Sequence, residues 1–529
     1  MAYDYIVIGG GSGGCVVAAR LSERAENKVL LLESGGRDTH LLLKMPLAFP
    51  LLRNTPFDWG YDSEPEPFAA NRNVPTARGK VLGGSSSVNG MMYSRGHPRD
   101  YDQWRQMGAE GWSHEDVLPY FRKSESNWRG EGPMHGGSGP LKVTPYVSDE
   151  PISRAIKDTA RATGHRVLDD FEAGDPEGFA LPDSTIYRGR RASASKAFLD
   201  PARKRPNLEI ISGAHVLRIL IEKGRAIGVE YLKSGETHRV HAGREIVLAG
   251  GAYGSPQILM LSGIGPADHL QSHGIPVHLD LPGVGAGLQE HPLVPMGFRL
   301  KKPLRFTQRL RADRLALSGL NWLLTGRGLP SVPLSCIAYH KSRPDVERPD
   351  LETIFMSTNM LAQPWFPGWR KPQPDALTTM SVVLRPGSRG SVRLRSADPL
   401  ASPRIQLNFL QDPEDLRLLR HATRWTRDFV RNAPLSDYVG EELFPGSGLE
   451  QDAELDAFIR QTVTVGQHPT STCRMGSDDQ AVVDPELRLR GVEGLRIADA
   501  SVMPTLIGGH TNAPSMMIGE KAADMMMAQ

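Results

Sequence analysis

Cysteine is scarce in this chain. Three of 529 residues, Cys15, Cys336 and Cys473, are too few for a disulfide framework and lack metal-ligand spacing, so a reducing compartment and no resident metal are expected. An excess of charge of either sign is also missing. Lys+Arg 62 against Asp+Glu 60 leaves +2, which speaks against a nucleic-acid-binding surface. The local basic clusters Arg188-Gly189-Arg190-Arg191 and Arg203-Lys204-Arg205 read as solvated loop faces. No uninterrupted apolar run approaches the length of a membrane span, and the first strand begins almost at Met1 with no room for a signal peptide. The expectation is a cytoplasmic protein with no transmembrane segment. Internal repeats and low-complexity tracts are absent as well.

What is present begins at the N-terminus. Ile6-Val7-Ile8 suits a buried parallel strand, and Gly9, Gly11 and Gly14 then give G-x-G-x-x-G before a helical stretch from Cys15 to Ser22. Glycine there permits a tight turn and close backbone approach to a pyrophosphate, whose charge suits a helix N-terminus. Val29 to Leu32 reads as the second strand and ends at Glu33, about twenty residues after Gly14, where an acid binds ribose hydroxyls. Strand, glycines, helix, strand and acid in this order predict a dinucleotide site, and FAD and NAD both use it.

At 529 residues, 39% hydrophobic and 23% charged, the chain is of ordinary globular composition and long enough for two or more domains. Motifs of cofactor type fall near residues 6–33, 78–96, 246–265 and 468–520, whereas residues from about 300 to 460 carry none. The middle is therefore expected to be a substrate domain inserted into a cofactor domain. Residues 41–52, rich in Leu and Pro, read as a lid packed over the cofactor, with a membrane-surface patch as the alternative. Trp365-Phe366-Pro367-Gly368-Trp369 is the densest aromatic cluster, and either lines or gates an apolar pocket or packs into the core.

Three more segments carry a family resemblance. Ala77-Arg78-Gly79-Lys80-Val81-Leu82-Gly83-Gly84-Ser85-Ser86-Ser87-Val88-Asn89-Gly90-Met91 resembles the first signature of the glucose–methanol–choline oxidoreductases. The run from Gly251 to Gly265 resembles the second, and His468-Pro469 with Asp499-Ala500 and Asn512-Ala513-Pro514 resembles the catalytic end. The resemblance implies an α/β fold: a Rossmann-type FAD-binding domain with an interleaved α+β substrate domain built on an antiparallel sheet. The expected cofactor part is 1–150, 195–300 and 460–529; the expected substrate part is 151–194 and 301–459.

The same resemblance implies the site residues. FAD contacts fall to Gly9, Gly11, Ser12, Gly14, Glu33, Val81, Gly84, Ser85, Asn89, Gly90, Met91, Met92, Val216, Asp499, Ala500 and Ala513. Val216 would act through its backbone alone, and is equally readable as a plain core strand residue. Some family members attach FAD covalently through a histidine where this chain has Val88, which has no nucleophile, so the FAD is expected to be non-covalent. His468 is the implied base, since an imidazole accepts a hydroxyl proton near neutral pH. Asn512 matches the second catalytic position, with His510 competing for it, and Pro514 is placed to open the last helix.

The function expected is oxidation of an alcohol, primary or aryl, to the aldehyde by hydride transfer to flavin N5. Oxygen or a quinone-like acceptor would regenerate the cofactor. The alternative class is a hydroxynitrile lyase, which keeps FAD without net redox chemistry. The partners expected are a small-molecule alcohol and the electron acceptor, with no nucleic acid.

Overall fold

A computed structural model describes residues 2–328 and 334–528. Two large sheets share the chain, and their strands interleave in sequence. β1 (Ala2–Ile8), α1 (Ser12–Leu21) and β2 (Val29–Glu33) open the first sheet, while β3 (Gly178–Ala180) already belongs to the second. The first sheet resumes with β4 (Leu208–Ser212), β5 (His215–Glu222), β6 (Arg225–Lys233) and the long β7 (Glu236–Leu248), which leads into α2 (Gly251–Leu261). The second sheet then takes β8 (Pro292–Leu300), β9 (Leu334–His340), β10 (Leu351–Met356), β11 (Ala376–Val383), β12 (Val439–Phe444) and β13 (Thr464–Val465). Helices α3 (Ala312–Thr325) and α4 (Pro413–Val430) lie between these strands. β14 (Leu495–Ile497) returns to the first sheet, and α5 (Asn512–Met527) ends the chain's secondary structure.

The order of the first sheet is β4-β2-β1-β7-β6-β5, with β14 added along β7. β4, β2, β1, β7 and β14 run parallel, as crossover connections require, whereas β7, β6 and β5 form an antiparallel extension. Val7 opposes Leu31 on one side and Val247 on the other, so Ile6, Val7 and Ile8 are buried on both faces, which explains the unbroken apolar run. α1 packs on this sheet with almost all of its side chains buried, and is pinned to α5 where Arg20 makes a two-pronged ion pair with Glu520 at 2.7 and 2.8 Å.

The second sheet, β12-β8-β11-β10-β9-β3 with β13 on β8, is antiparallel throughout. Phe179, Phe355, Trp425 and Phe429 stack between it and α4 and form much of its core. The fold is thus mixed α/β, a Rossmann-type cofactor domain with an antiparallel substrate sheet. β8 and β13 lie in ranges the motif spacing assigns to the cofactor part, yet they pair in the second sheet. The physical reason is local. Gln289 bridges Thr470 just outside the Pro292–Val465 pairing, so these two segments run from the cofactor cradle straight into the substrate sheet. Among the described residues no helix is long and apolar enough to cross a membrane.

Candidate active site

At the cofactor end, four glycines of one loop answer to different constraints. A side chain at Gly9 would meet Ala249 O at 2.4 Å, at Gly13 Ala498 O at 2.2 Å, and at Gly14 Gly9 O at 1.9 Å, so these three are required by protein packing. Gly11 is not: an added Cβ would meet only Ala249 O at 3.9 Å, which leaves open space above the start of α1. That helix begins with no side-chain cap and no acid in its first turn, and α5 likewise begins without a side-chain cap. The two N-termini meet where the Ser12 hydroxyl donates to Asn512 Oδ1 at 2.9 Å. Two uncapped, electropositive helix ends beside this open glycine turn fit the pyrophosphate and isoalloxazine of FAD.

The remaining predicted contacts surround this cradle. Glu33 is buried and accepts the N–H groups of Gly10 at 2.8 Å and Gly35 at 2.7 Å, while burial raises its carboxyl to about 7. The chain after β4 closes over it, since Ala214 N–H donates to Glu33 O and Gly213 N–H to Gly35 O, both at 2.9 Å; Val216 follows, buried on β5. Asp499 is held by Gly251 N–H, the Ser255 hydroxyl and Ser501 N–H at 2.6–2.9 Å, and locks α2 against the turn carrying the half-buried Ala500. Ala513, in the first turn of α5, is buried.

In the first signature, Gly83 and Gly84 both have positive φ, +89° and +51°, and Gly84 rides 2.8 Å over Gly11 Cα as measured from its added Cβ. Ser85 Oγ accepts Gly79 N–H, and Val81 is buried under Leu43 and Leu52 of the 41–52 segment, which thus packs on the signature. Asn89 Oδ1 accepts Met91 N–H at 3.1 Å and Arg191 Nη1 at 2.7 Å, holding the turn through Gly90 and Met91 (φ +61°) to Met92. Val88, Asn89, Gly90 and Met92 remain part-exposed among buried neighbours, as do Gly11, Ser12 and Asn512.

His468 stands on the opposite side, at the foot of the antiparallel sheet. Gln467 before it takes a positive φ of 68°, a conformation costly for a side-chain-bearing residue, and Arg78 Nη2 secures it at its carbonyl (2.8 Å) and Oε1 (2.9 Å). His468 N–H donates to Glu290 Oε1 at 2.7 Å. Its imidazole Nδ1 lies 3.0 Å from Nδ1 of His291, whose Nε2 is 3.1 Å from Leu384 O. A carbonyl only accepts, so His291 carries its proton on Nε2 and accepts at Nδ1; His468 is therefore protonated on Nδ1, leaving Nε2 a free base. Burial holds His468 well below its ordinary value, helped by His510, His291 and Arg78, and burial, opposed in part by Glu352, takes His291 down to about 4.

The third ring is His510, centred 4.8 Å from His468, with Nε2 3.1 Å from Glu352 Oε1 of β10. Its loop is fixed by Asp100, which accepts Gly508 N–H at 2.7 Å and pairs with Arg385. The structure therefore sets His510 beside His468, and ties the Asn512 carboxamide oxygen to the cofactor loop. His291, Glu290 and Glu352 escape the motif reading. His291-Pro292 repeats the dipeptide His468-Pro469, and Glu352 is a lone acid in the buried strand Leu351–Met356, which needs a partner; both are signals of a kind the sequence does offer. The Trp365 cluster meets neither expectation made for it. Trp365 is half-buried and donates to Thr307 O at 2.9 Å, and Trp369 is 63% exposed with Arg370 against its ring.

Comparison with known proteins agrees with this arrangement. Family models described as GMC oxidoreductase match residues 3–293 and 386–519. The oxygen-dependent choline dehydrogenase of Sinorhizobium fredii is 42% identical over 539 residues, covering 100% of this chain and 96% of that protein. Among solved structures, pyridoxine 4-oxidase from Mesorbium loti superposes with a TM-score of 0.89 at 31% identity, covering 100% of this chain and 99% of the other. An Aspergillus oryzae formate oxidase superposes with a TM-score of 0.92 at 29% identity, covering 100% and 98%. Glycine cradle, signature turn and histidine cluster thus sit in a chain that belongs to the GMC oxidoreductases, FAD-dependent enzymes acting on the CH–OH group of their substrates.

Proposed function

We propose that this enzyme oxidises a primary alcohol to the aldehyde with His468 as the general base. The observation that supports the role is the His291–His468 hydrogen bond, which leaves His468 Nε2 unprotonated and ready to take the hydroxyl proton. Bound FAD supplies the hydride acceptor, flavin N5, and Gly11, Ser12, Glu33 and the Gly84 to Met92 turn would hold it without a covalent link, since Val88 offers no nucleophile.

The other residues position and polarise. Ser12 occupies Asn512 Oδ1, so the Asn512 amide nitrogen is the end left to donate to the substrate oxygen. His510 and Glu352 form the far wall, where a second polar group of the substrate would be bound. The electron acceptor is oxygen or a quinone-like molecule.

The test is anaerobic mixing of the holoenzyme with choline, pyridoxine, benzyl alcohol and short primary alcohols. Flavin bleaching with one class and aldehyde formation in equal amount are the expected results. A panel that leaves the flavin oxidised while a cyanohydrin is cleaved would replace oxidation with lyase chemistry. Hydrogen peroxide release on readmitting air separates oxygen from a quinone as acceptor.

A further inference from the structure

Outside the histidine cluster, α3 is built inside out. Its inward face offers Leu315, Ser318, Gly319 and a single buried ring, Trp322, whereas Leu317, Leu320 and Leu324 on the opposite face are 69%, 55% and 77% exposed. A surface helix ordinarily turns its apolar stripe to the core. Here the stripe faces solvent, and a contiguous exposed apolar patch marks a contact surface.

The helix is joined to a strongly basic feature. Trp322 Nε1 donates to Gly189 O at 2.6 Å, and the Arg190 guanidinium lies 4.8 Å from the centre of the Trp322 ring. Arg190 in turn lines a solvent-open cavity of about 430 Å³ together with Lys44, Lys142, Arg188, Arg191 and Lys196, and among the described residues no acid lines it. Lys196 is engaged by Asp38 and Asp200, and Arg191 donates to backbone and amide oxygens, among them Leu43 O at 3.1 Å, beside Lys44. The charges of Lys44, Lys142, Arg188 and Arg190 meet no carboxylate among the described residues. At the start of α3, Ala312 N–H donates to Trp365 O, which brings in the loop bearing the exposed Leu361 and Trp369.

We propose that α3 and the adjoining basic cavity form a docking face for an anionic lipid surface. The leucines enter the boundary between headgroups and acyl chains, the exposed Trp suits the same depth, and the unpaired cations take the phosphates. A second copy of this chain would bury the leucines equally well, but would bring the same positive cavities together. The charge distribution therefore selects the lipid.

The experiment is co-sedimentation of the holoenzyme with vesicles of phosphatidylcholine alone and of phosphatidylcholine mixed with phosphatidylglycerol. Binding to the mixed vesicles, absent with phosphatidylcholine alone and falling as salt rises, is expected. L320E/L324E should abolish it, and R188E/R190E should weaken it about tenfold or more. Both variants should keep their flavin spectrum and their rate with a soluble alcohol, because neither pair touches the active site. Equal binding to neutral vesicles, no binding, or binding indifferent to L320E/L324E would overturn the proposal. So would a dimer in solution that L320E/L324E dissolves, which would assign the face to a second copy.

Discussion

The two sheets serve one site in different ways. On the parallel sheet the work is done by backbone, in the turns after β1 and around Gly84, where glycine is needed for close approach and helix ends supply the field. On the antiparallel sheet it is done by single side chains, His291 beside β8, Glu352 on β10 and His468 after β13, each fixed by one or two hydrogen bonds. The parallel side should therefore govern whether FAD stays, and the antiparallel side how fast it is reduced.

The widest separation between the two is expected at His468. His468→Ala should slow flavin reduction by about a hundred- to ten-thousand-fold, the usual range for a lost general base, while the flavin content is unchanged. Stopped-flow absorbance with a confirmed substrate reads this, and a near wild-type rate would hand the role to His510. Gly11→Ala makes the reverse test. Its backbone is extended and its Cβ meets nothing closer than 3.9 Å in the protein, so the chain should fold, yet the methyl would stand in the cofactor's space. Overpacking of about 1–3 kcal/mol corresponds to roughly 5- to 150-fold weaker FAD binding. Titration of the apoprotein with FAD measures it, and undiminished affinity would mean the cradle is not what the glycine serves.

A finer comparison lies in pH. A base must be neutral to act, and burial together with His510, His291 and Arg78 depresses His468, so the reduction rate should hold its plateau as pH falls through 6.5 and drop only below it. His510→Gln removes a secondary cause, so the acid limb should move upward yet stay below 6.5, because burial remains, with a plateau change of less than about tenfold. A limb unchanged by this substitution would separate the two rings electrostatically. The smallest effect is reserved for Trp369→Ala. On an exposed loop it should alter stability by no more than about 0.5 kcal/mol and leave relative rates among alcohols unaltered; a changed selectivity, seen in the same panel, would return this loop to the active site.

The same contrast explains what could be read before folding. A turn, close packing and the approach of the cofactor each demand glycine at fixed spacing, so Gly9, Gly11, Gly14 and the Gly83-Gly84 turn stand out in the linear sequence, and the Ile6-Val7-Ile8 and Val29 to Leu32 strands with them. His468 is legible because a long motif surrounds it. His291 and Glu352 each carry a local mark, a second His-Pro dipeptide and a lone acid in an apolar strand, but sheet pairing across more than a hundred residues brings them to His468, and no local pattern encodes that meeting. The side-chain bond between Ser12 and Asn512 is of the same kind: each residue belongs to a recognisable segment, and their contact belongs to neither.

That contact has a consequence for biosynthesis. The cofactor cradle is made by the first helix and the last, knitted together by Ser12 with Asn512, Arg20 with Glu520, and Gly519 packed so close to Gly13 that a methyl there would sit 2.7 Å from its carbonyl. Domains ordinarily fold from the N-terminus as they emerge during translation. Here the nascent chain, however much of its sheet has formed, lacks one wall of the flavin site until α5 leaves the ribosome. Flavin loading should therefore wait for α5, with the cofactor acting as a late seal once α1 and α5 have met.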